Sequence, residues 1–231
     1  TKNTQPAIMA VGVSIFKVLN EEFNYGLNNA KFFAGHSLGE YTALVCSGSL
    51  SIEKAAFLLH ERGKSMQEAV PTGEGAMLAV IGMKLDEVEK EISLLPKLGI
   101  CEIANDNSNE QVVVSGKKEM IEIFSKNLKE KKKRSVVLPV SAPFHCSLMK
   151  KASINMEEKI KKTDFTNPNP IIISNVTAKP ESDSDAIKSL LIDQITSKVR
   201  WRESINYMIN EKVDSFLEIG PGKILSGLVK K

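Results

Sequence analysis

The stretch Gly35-His36-Ser37-Leu38-Gly39 sets a serine between two glycines, behind the apolar Phe32-Phe33-Ala34 and ahead of Glu40-Tyr41-Thr42-Ala43-Leu44. A Gly-x-Ser-x-Gly pattern between a short strand and a helix marks a nucleophile elbow, a sharp turn that lifts a serine hydroxyl clear of its surroundings. Both glycines are expected to be needed, since a Cβ at either place would strike the neighbouring backbone. The helix that follows aims free N–H groups and the positive end of its dipole at any charge developing beside the serine. Such a serine does acyl chemistry through a covalent ester. The plain alternative is a glycine-bounded strand-to-helix turn with an idle serine.

A serine nucleophile needs a base, and the chain holds only three histidines. His36 adjoins Ser37 and on a sharp turn points elsewhere. His60 lies inside a helical stretch. His145 lies in the irregular Ala142-Pro143-Phe144-His145-Cys146 and is the candidate base, because loops held by a rigid scaffold are where reactive groups collect; otherwise it caps a helix start. Hydrolases with this elbow place an Asp or Glu between the serine and the histidine in the chain. Here the acids in that interval fall mainly in a small insert or on solvated helix faces. A backbone or amide carbonyl could orient the imidazole instead by accepting the Nδ1–H, which leaves a dyad.

Arg62, in Leu59-His60-Glu61-Arg62-Gly63, is the second informative charge. A guanidinium forks a carboxylate with two parallel hydrogen bonds, which lysine cannot do. An acyl group ending in a free carboxylate would match it; a surface helix arginine is the bland reading. Cys146 adjoins His145, and adjacent side chains point apart, so Ser37 is preferred as nucleophile. No metal-ligand spacing and no phosphate-cradling Gly-rich loop with lysine is present, so neither a metal nor a cofactor is expected.

These residues need an α/β frame to hold them. Apolar residues Ile8, Val11, Ile15, Val18 and Leu19 recur at helical spacing between Pro6 and Phe23, which predicts a core-facing helix. Ser51-Ile52-Glu53-Lys54 predicts a capped helix start, with the helix running from Ile52 to Ala69. From Thr72 to Ser141 the order is β-α-β-β-α-β: Ala76–Met83, Leu85–Leu95, Ile100–Ala104, Gln111–Ser115, Lys118–Lys131 and Ser135–Val140, with the polar 105–109 joining the middle strands. That is a ferredoxin-like split unit. It interrupts an α/β body with helices at 147–161, 185–196 and 201–210 and strands at Ile171–Asn175 and Ser215–Ile219. The fold class expected is an α/β-hydrolase-like parallel sheet body formed by 1–71 and 142–231, with a ferredoxin-like subdomain at 72–141.

Composition agrees. A chain of 231 residues with 42 % hydrophobic content builds one large domain or a domain with an insert. A net charge of +3 points to no nucleic acid. Three scattered cysteines argue against a disulfide framework and fit a reducing compartment. No apolar run approaches a membrane span.

Together and in order, Gly35-His36-Ser37-Leu38-Gly39-Glu40-Tyr41, Glu61-Arg62-Gly63 with Met66-Gln67, Pro143-Phe144-His145-Cys146 and Glu218-Ile219-Gly220-Pro221-Gly222-Lys223 resemble the malonyl-CoA:acyl carrier protein transacylases of type II fatty-acid synthesis. Ile103-Ala104-Asn105-Asp106-Asn107 and Gln111-Val112-Val113-Val114-Ser115-Gly116 resemble the bacterial members. The resemblance covers essentially the whole chain. It implies Ser37 as the acylated nucleophile and His145 as its base, oriented by a main-chain carbonyl at Gln194. It implies Leu38 as an oxyanion N–H donor, Arg62 as the clamp on the malonyl carboxylate, and Met66 and Phe144 as pocket walls, Phe144 crowding the malonyl α-carbon. Malonyl-CoA and the phosphopantetheinylated acyl carrier protein are then substrates rather than cofactors, and the expected state is a cytoplasmic or organelle-matrix monomer. Family members open with a strand and a Gly-x-Gly-x-Gln loop that supplies a second oxyanion donor. No such segment stands in these residues, so a fragment is expected, one missing part of its oxyanion hole. The lysines of 129–134 and Lys150, Lys151, Lys159, Lys161 and Lys162 are either solvated helix ends or a surface for an acidic carrier. An acyltransferase domain of a polyketide synthase, a serine thioesterase or hydrolase, and a non-catalytic carrier-binding module are the competing readings.

Overall fold

The structure is a computed structural model that describes residues 1–140 and 142–231. Ser141, the last residue expected in the insert, lies outside the described residues.

Two sheets divide the chain. In the first, β1 (Phe32–Ala34) pairs parallel with β6 (Ile171–Ile173), and β6 pairs antiparallel with β7 (Pro180–Glu181). Around it pack α1 (Thr4–Lys17), α2 (Leu38–Cys46), α3 (Ile52–Glu68), α6 (Lys150–Lys162) and α7 (Ser184–Gln194), which share one apolar core with Tyr41, Leu44, Leu58, Leu59 and Met156 at its centre. A smaller apolar cluster around Ile173, Trp201 and Met208 lies under α8 (Trp201–Asn210) and α9 (Ile224–Val229).

The second sheet holds β2 (Gly75–Ile81), β3 (Cys101–Ser108), β4 (Gln111–Lys117) and β5 (Arg134–Val137) in the order β3-β4-β2-β5, every pairing antiparallel. Helices α4 (Leu85–Ser93) and α5 (Lys118–Glu130) complete β-α-β-β-α-β, and Val88, Met120, Ile121, Phe124 and Leu128 close a second core against the sheet. The molecule is an α/β-hydrolase-like body carrying a ferredoxin-like subdomain.

Three expectations change. The buried face of α1 is Gln5, Met9, Gly12, Val13 and Phe16, while Val11, Ile15 and Val18 are exposed. Both sets recur at helical spacing, so periodicity could not choose between them. Gly12 helps decide it, because a Cβ there would stand 3.1 Å from Thr42 Cγ2 on α2. The polar 105–109 is mostly strand rather than turn: β3 runs on to Ser108 because neighbours satisfy its buried polar side chains, Arg202 meeting Asp106 and His36 meeting Asn107. Finally, 215–219 forms no strand, since no neighbour offers it a ladder among the described residues, and Phe216 and Leu217 stay exposed.

Candidate active site

The chain leaves β1 at Ala34 and enters α2 at Leu38, so three residues reverse its direction. Ser37 takes the strained angles φ 56° and ψ −109°. A Cβ on Gly35 would lie 1.9 Å from the Gly39 carbonyl oxygen, which makes glycine obligatory there. Gly39 differs from expectation, because nothing lies within 4 Å of the place its Cβ would take. Asn175, just past the end of β6, braces the turn: its Oδ1 accepts the Ser37 N–H at 2.7 Å and its Nδ2 donates to the Gly35 carbonyl at 2.8 Å. The serine thus sits beyond the carboxyl ends of the parallel pair β1/β6, where open α/β sheets place ligands.

His145 comes to it from the far side of the subdomain, in a loop whose backbone turns through φ 57°. Its Nδ1 lies 2.9 Å from the main-chain oxygen of Gln194, the last residue of α7. A carbonyl only accepts, so Nδ1 carries the hydrogen and Nε2 presents its lone pair, 2.7 Å from Ser37 Oγ. Burial first, and then the positive charge of Arg62, push the His145 pKa down to about 3. The imidazole is therefore neutral at ordinary pH and free to accept a proton.

Arg62, on α3, is 1 % exposed. Its acceptors are all uncharged: Gln5 Oε1 at 2.6 Å, Gln194 Oε1 at 2.8 Å and Ser37 Oγ at 3.1 Å. Among the described residues Nε has no partner and no carboxylate pairs directly with the guanidinium; the buried Glu40 carboxyl, held on Gln194 Nε2, acts on Arg62 only through space. Beside it opens a cavity of about 160 Å3 lined by Gln5, Ser37, Leu38, Arg62, Met66 and Phe144 among others. At its edge Gly39 and Glu40 donate their N–H groups to His36 and Ser37 carbonyls, while the Leu38 N–H opens α2 with no intrahelical acceptor.

All seven expected site residues therefore gather around one cavity or its supports. His36 turns away to Asn107, 2.9 Å from Nε2, and packs on Trp201; His60 stays on α3, half-buried. Three participants escaped the sequence reading: Gln5, Asn175 and Glu40. Nothing local marks the first two. Glu40 corrects the view that acids between Ser37 and His145 lie in the insert or on solvated faces, for it is 2 % exposed beneath the elbow. Its Oε2 accepts from Gln194 Nε2 at 2.6 Å and from the Asn175 N–H at 3.3 Å. Among the described residues no group of His, Cys, Asp and Glu could hold a metal ion.

The acyl transferase domain model matches residues 1–231. The chain is 42 % identical to the malonyl CoA-acyl carrier protein transacylase of Bacillus subtilis, over all of this chain and 72 % of that protein. It is 39 % identical to the protein of the same name from Escherichia coli, covering 74 % of it. The crystal structure of an acyl-carrier-protein-S-malonyltransferase from Bartonella henselae superposes with a TM-score of 0.95 at 43 % identity, over the whole of this chain and 74 % of that one. A malonyl-transacylase in complex with its type II PKS acyl-carrier protein superposes with a TM-score of 0.94 at 38 % identity, again over the whole of this chain and 74 % of that one.

Proposed function

Since the chain belongs to the acyl transferase domain family, we propose that this acyltransferase moves a malonyl group from malonyl-CoA to the phosphopantetheine thiol of an acyl carrier protein. One observation carries the choice of acyl group. Arg62 is a buried cation that borders the cavity within 3.1 Å of Ser37 Oγ and has only neutral acceptors. A buried charge with no carboxylate hydrogen-bonded to it is costly, and Glu40 reaches Arg62 only through the Gln194 amide. A malonyl carboxylate entering beside Ser37 supplies an anion in direct contact and the bidentate geometry a guanidinium favours.

The steps follow from the geometry. Ser37 Oγ attacks the thioester carbonyl while its proton passes to His145 Nε2. The Gln194 carbonyl holds the imidazolium through Nδ1–H. The Leu38 N–H meets the developing oxyanion; one such donor is worth on the order of 3–4 kcal/mol. The C–S bond breaks and the CoA sulfur takes the proton from His145, leaving a malonyl-serine ester. The carrier thiol then repeats the sequence in reverse, in ping-pong order. Phe144 and Met66 wall the acyl pocket, Phe144 on the side that excludes a branched α-carbon. In this reading 1–71 and 142–231 form the catalytic body and 72–141 the small subdomain. The reaction uses no cofactor, and the enzyme works as a monomer in the cytosol or an organelle matrix. No described helix is long and apolar enough to cross a membrane.

The test is mass spectrometry after mixing with malonyl-CoA, repeated with acetyl-CoA and with Arg62→Ala. The expected outcome is one malonyl group on Ser37, lost with Ser37→Ala. Arg62→Ala should cut malonyl loading about a hundredfold or more while leaving acetyl loading within a few-fold. Malonyl loading undiminished by Arg62→Ala would overturn the clamp.

A further inference from the structure

Gln194 does two jobs with two different groups. Its main-chain oxygen takes the His145 Nδ1–H, and its side-chain Oε1 takes an Arg62 N–H. Base and carboxylate clamp are therefore both referred to one residue at the end of α7. Each depends on which way that residue faces.

The direction of the Gln194 amide follows from its neighbours. Oε1 faces a guanidinium, which only donates. Nε2 faces Glu40 Oε2 at 2.6 Å and the Ser37 carbonyl at 3.1 Å. Turning the amide over would set two N–H donors against Arg62 and a carbonyl against a carboxyl oxygen and a second carbonyl. At 1 % exposure no water can relieve that mismatch. Of the two groups that hold Nε2, the Ser37 carbonyl belongs to the elbow itself and is the longer contact. Glu40 makes the shorter one, from the first turn of α2, and the same Oε2 also takes the Asn175 N–H. Asn175 in turn fixes Ser37 N–H and the Gly35 carbonyl.

We propose that Glu40 is a positioning residue for the transfer reaction: through Gln194 it aligns His145 with Ser37 and turns an acceptor toward Arg62, and through Asn175 it braces the elbow. It touches no reacting atom. The proposal rests on the reading of Ser37 and His145 as nucleophile and base. What it requires of Glu40 is reach and an acceptor oxygen, not negative charge.

That distinction sets the experiment. Glu40→Gln keeps the reach and a carbonyl oxygen without the charge. Glu40→Asp keeps the charge and withdraws the carboxyl by one methylene. Both are compared with the unmodified chain after equal thermal unfolding is verified. The first readout is the rate at which a fluorophosphonate labels Ser37, which reports the Ser37–His145 pair whatever the acyl donor. The second is malonyl loading from malonyl-CoA. Glu40→Gln is expected to stay within about threefold on both readouts, and Glu40→Asp to slow both about ten- to a hundredfold. In a Gln194→Ala background, which keeps the main-chain carbonyl but removes the amide, Glu40→Asp should slow labelling by no more than about threefold, because only its Asn175 contact is left to lose. Equal slowing in both backgrounds, or Glu40→Gln slower than Glu40→Asp, would overturn the proposal. Normal labelling in an unmodified chain that takes no malonyl sinks the choice of acyl group instead, and Glu40 is then judged on the labelling rates.

Discussion

His145 illustrates how neighbours decide what a side chain can do. An isolated histidine titrates near neutrality; here burial and the Arg62 charge lower its pKa to about 3. A general base must be unprotonated to act, so its activity is lost as pH falls through its own pKa. Fluorophosphonate labelling of Ser37 should therefore show no acid limb from His145 until well below pH 6.5, the ordinary value. Arg62→Gln removes one of the causes of the depression, and its acid limb should move upward. An unchanged limb would mean that the Arg62 charge does not reach the imidazole. The same coupling gives the acyl carboxylate a second effect. An anion docked on Arg62 offsets the charge that suppresses His145, so a bound malonyl group should leave the base stronger than in the empty site.

At the scale of elements, the elbow is a junction at which backbone meets backbone. A Cβ on Gly35 would lie 1.9 Å from the Gly39 carbonyl oxygen and 2.5 Å from the Glu40 N, contacts no side-chain motion can relieve. Gly35→Ala should either reopen the turn and abolish Ser37 labelling or cost on the order of 3 kcal/mol or more of stability, visible as a lower urea midpoint. Gly39→Ala meets nothing within 4 Å and should fold normally. Ser37 and His145 are positioned by different elements, β1 and α2 for Ser37 and the end of α7 for His145. Asn175, beyond β6, and Gln194 are the residues that tie these elements together.

At the scale of the molecule, the subdomain is keyed to the body beside the site. Asp106 on β3 is fully buried and forked by Arg202 of α8, its Oδ1 at 2.9 Å from Nε and its Oδ2 at 2.8 Å from an Nη. Asn107 meets His36, and the Glu102 carboxylate accepts from the Ser147 hydroxyl at 2.7 Å and its N–H at 2.8 Å. Arg202→Ala would strand a buried carboxylate and should cost about 3–5 kcal/mol by urea unfolding. A cost under about 1 kcal/mol, no more than a surface pair is worth, would show that the contact does not hold subdomain to body.

Local order was legible wherever one side chain or one period decides it. The elbow pattern, the Ser51 cap that accepts the Lys54 N–H, and the apolar stripe of α5 are carried by residues a few positions apart. So was the βαββαβ order, and the resemblance singled out Ser37, His145 and Arg62, which the fold brings within hydrogen-bond distance of one another through Ser37 Oγ. The sequence did not disclose which face of α1 is buried, since two apolar faces compete and only a neighbouring helix chooses. Nor did it show that a polar 105–108 is strand, because the partners that satisfy it lie on α8 and on the elbow. Glu40 looked like an ordinary acid of a helix's first turn. Only the tertiary structure closed solvent over it and brought Gln194 from 154 positions away against its carboxyl, since burial and long-range pairing are properties of the packed chain.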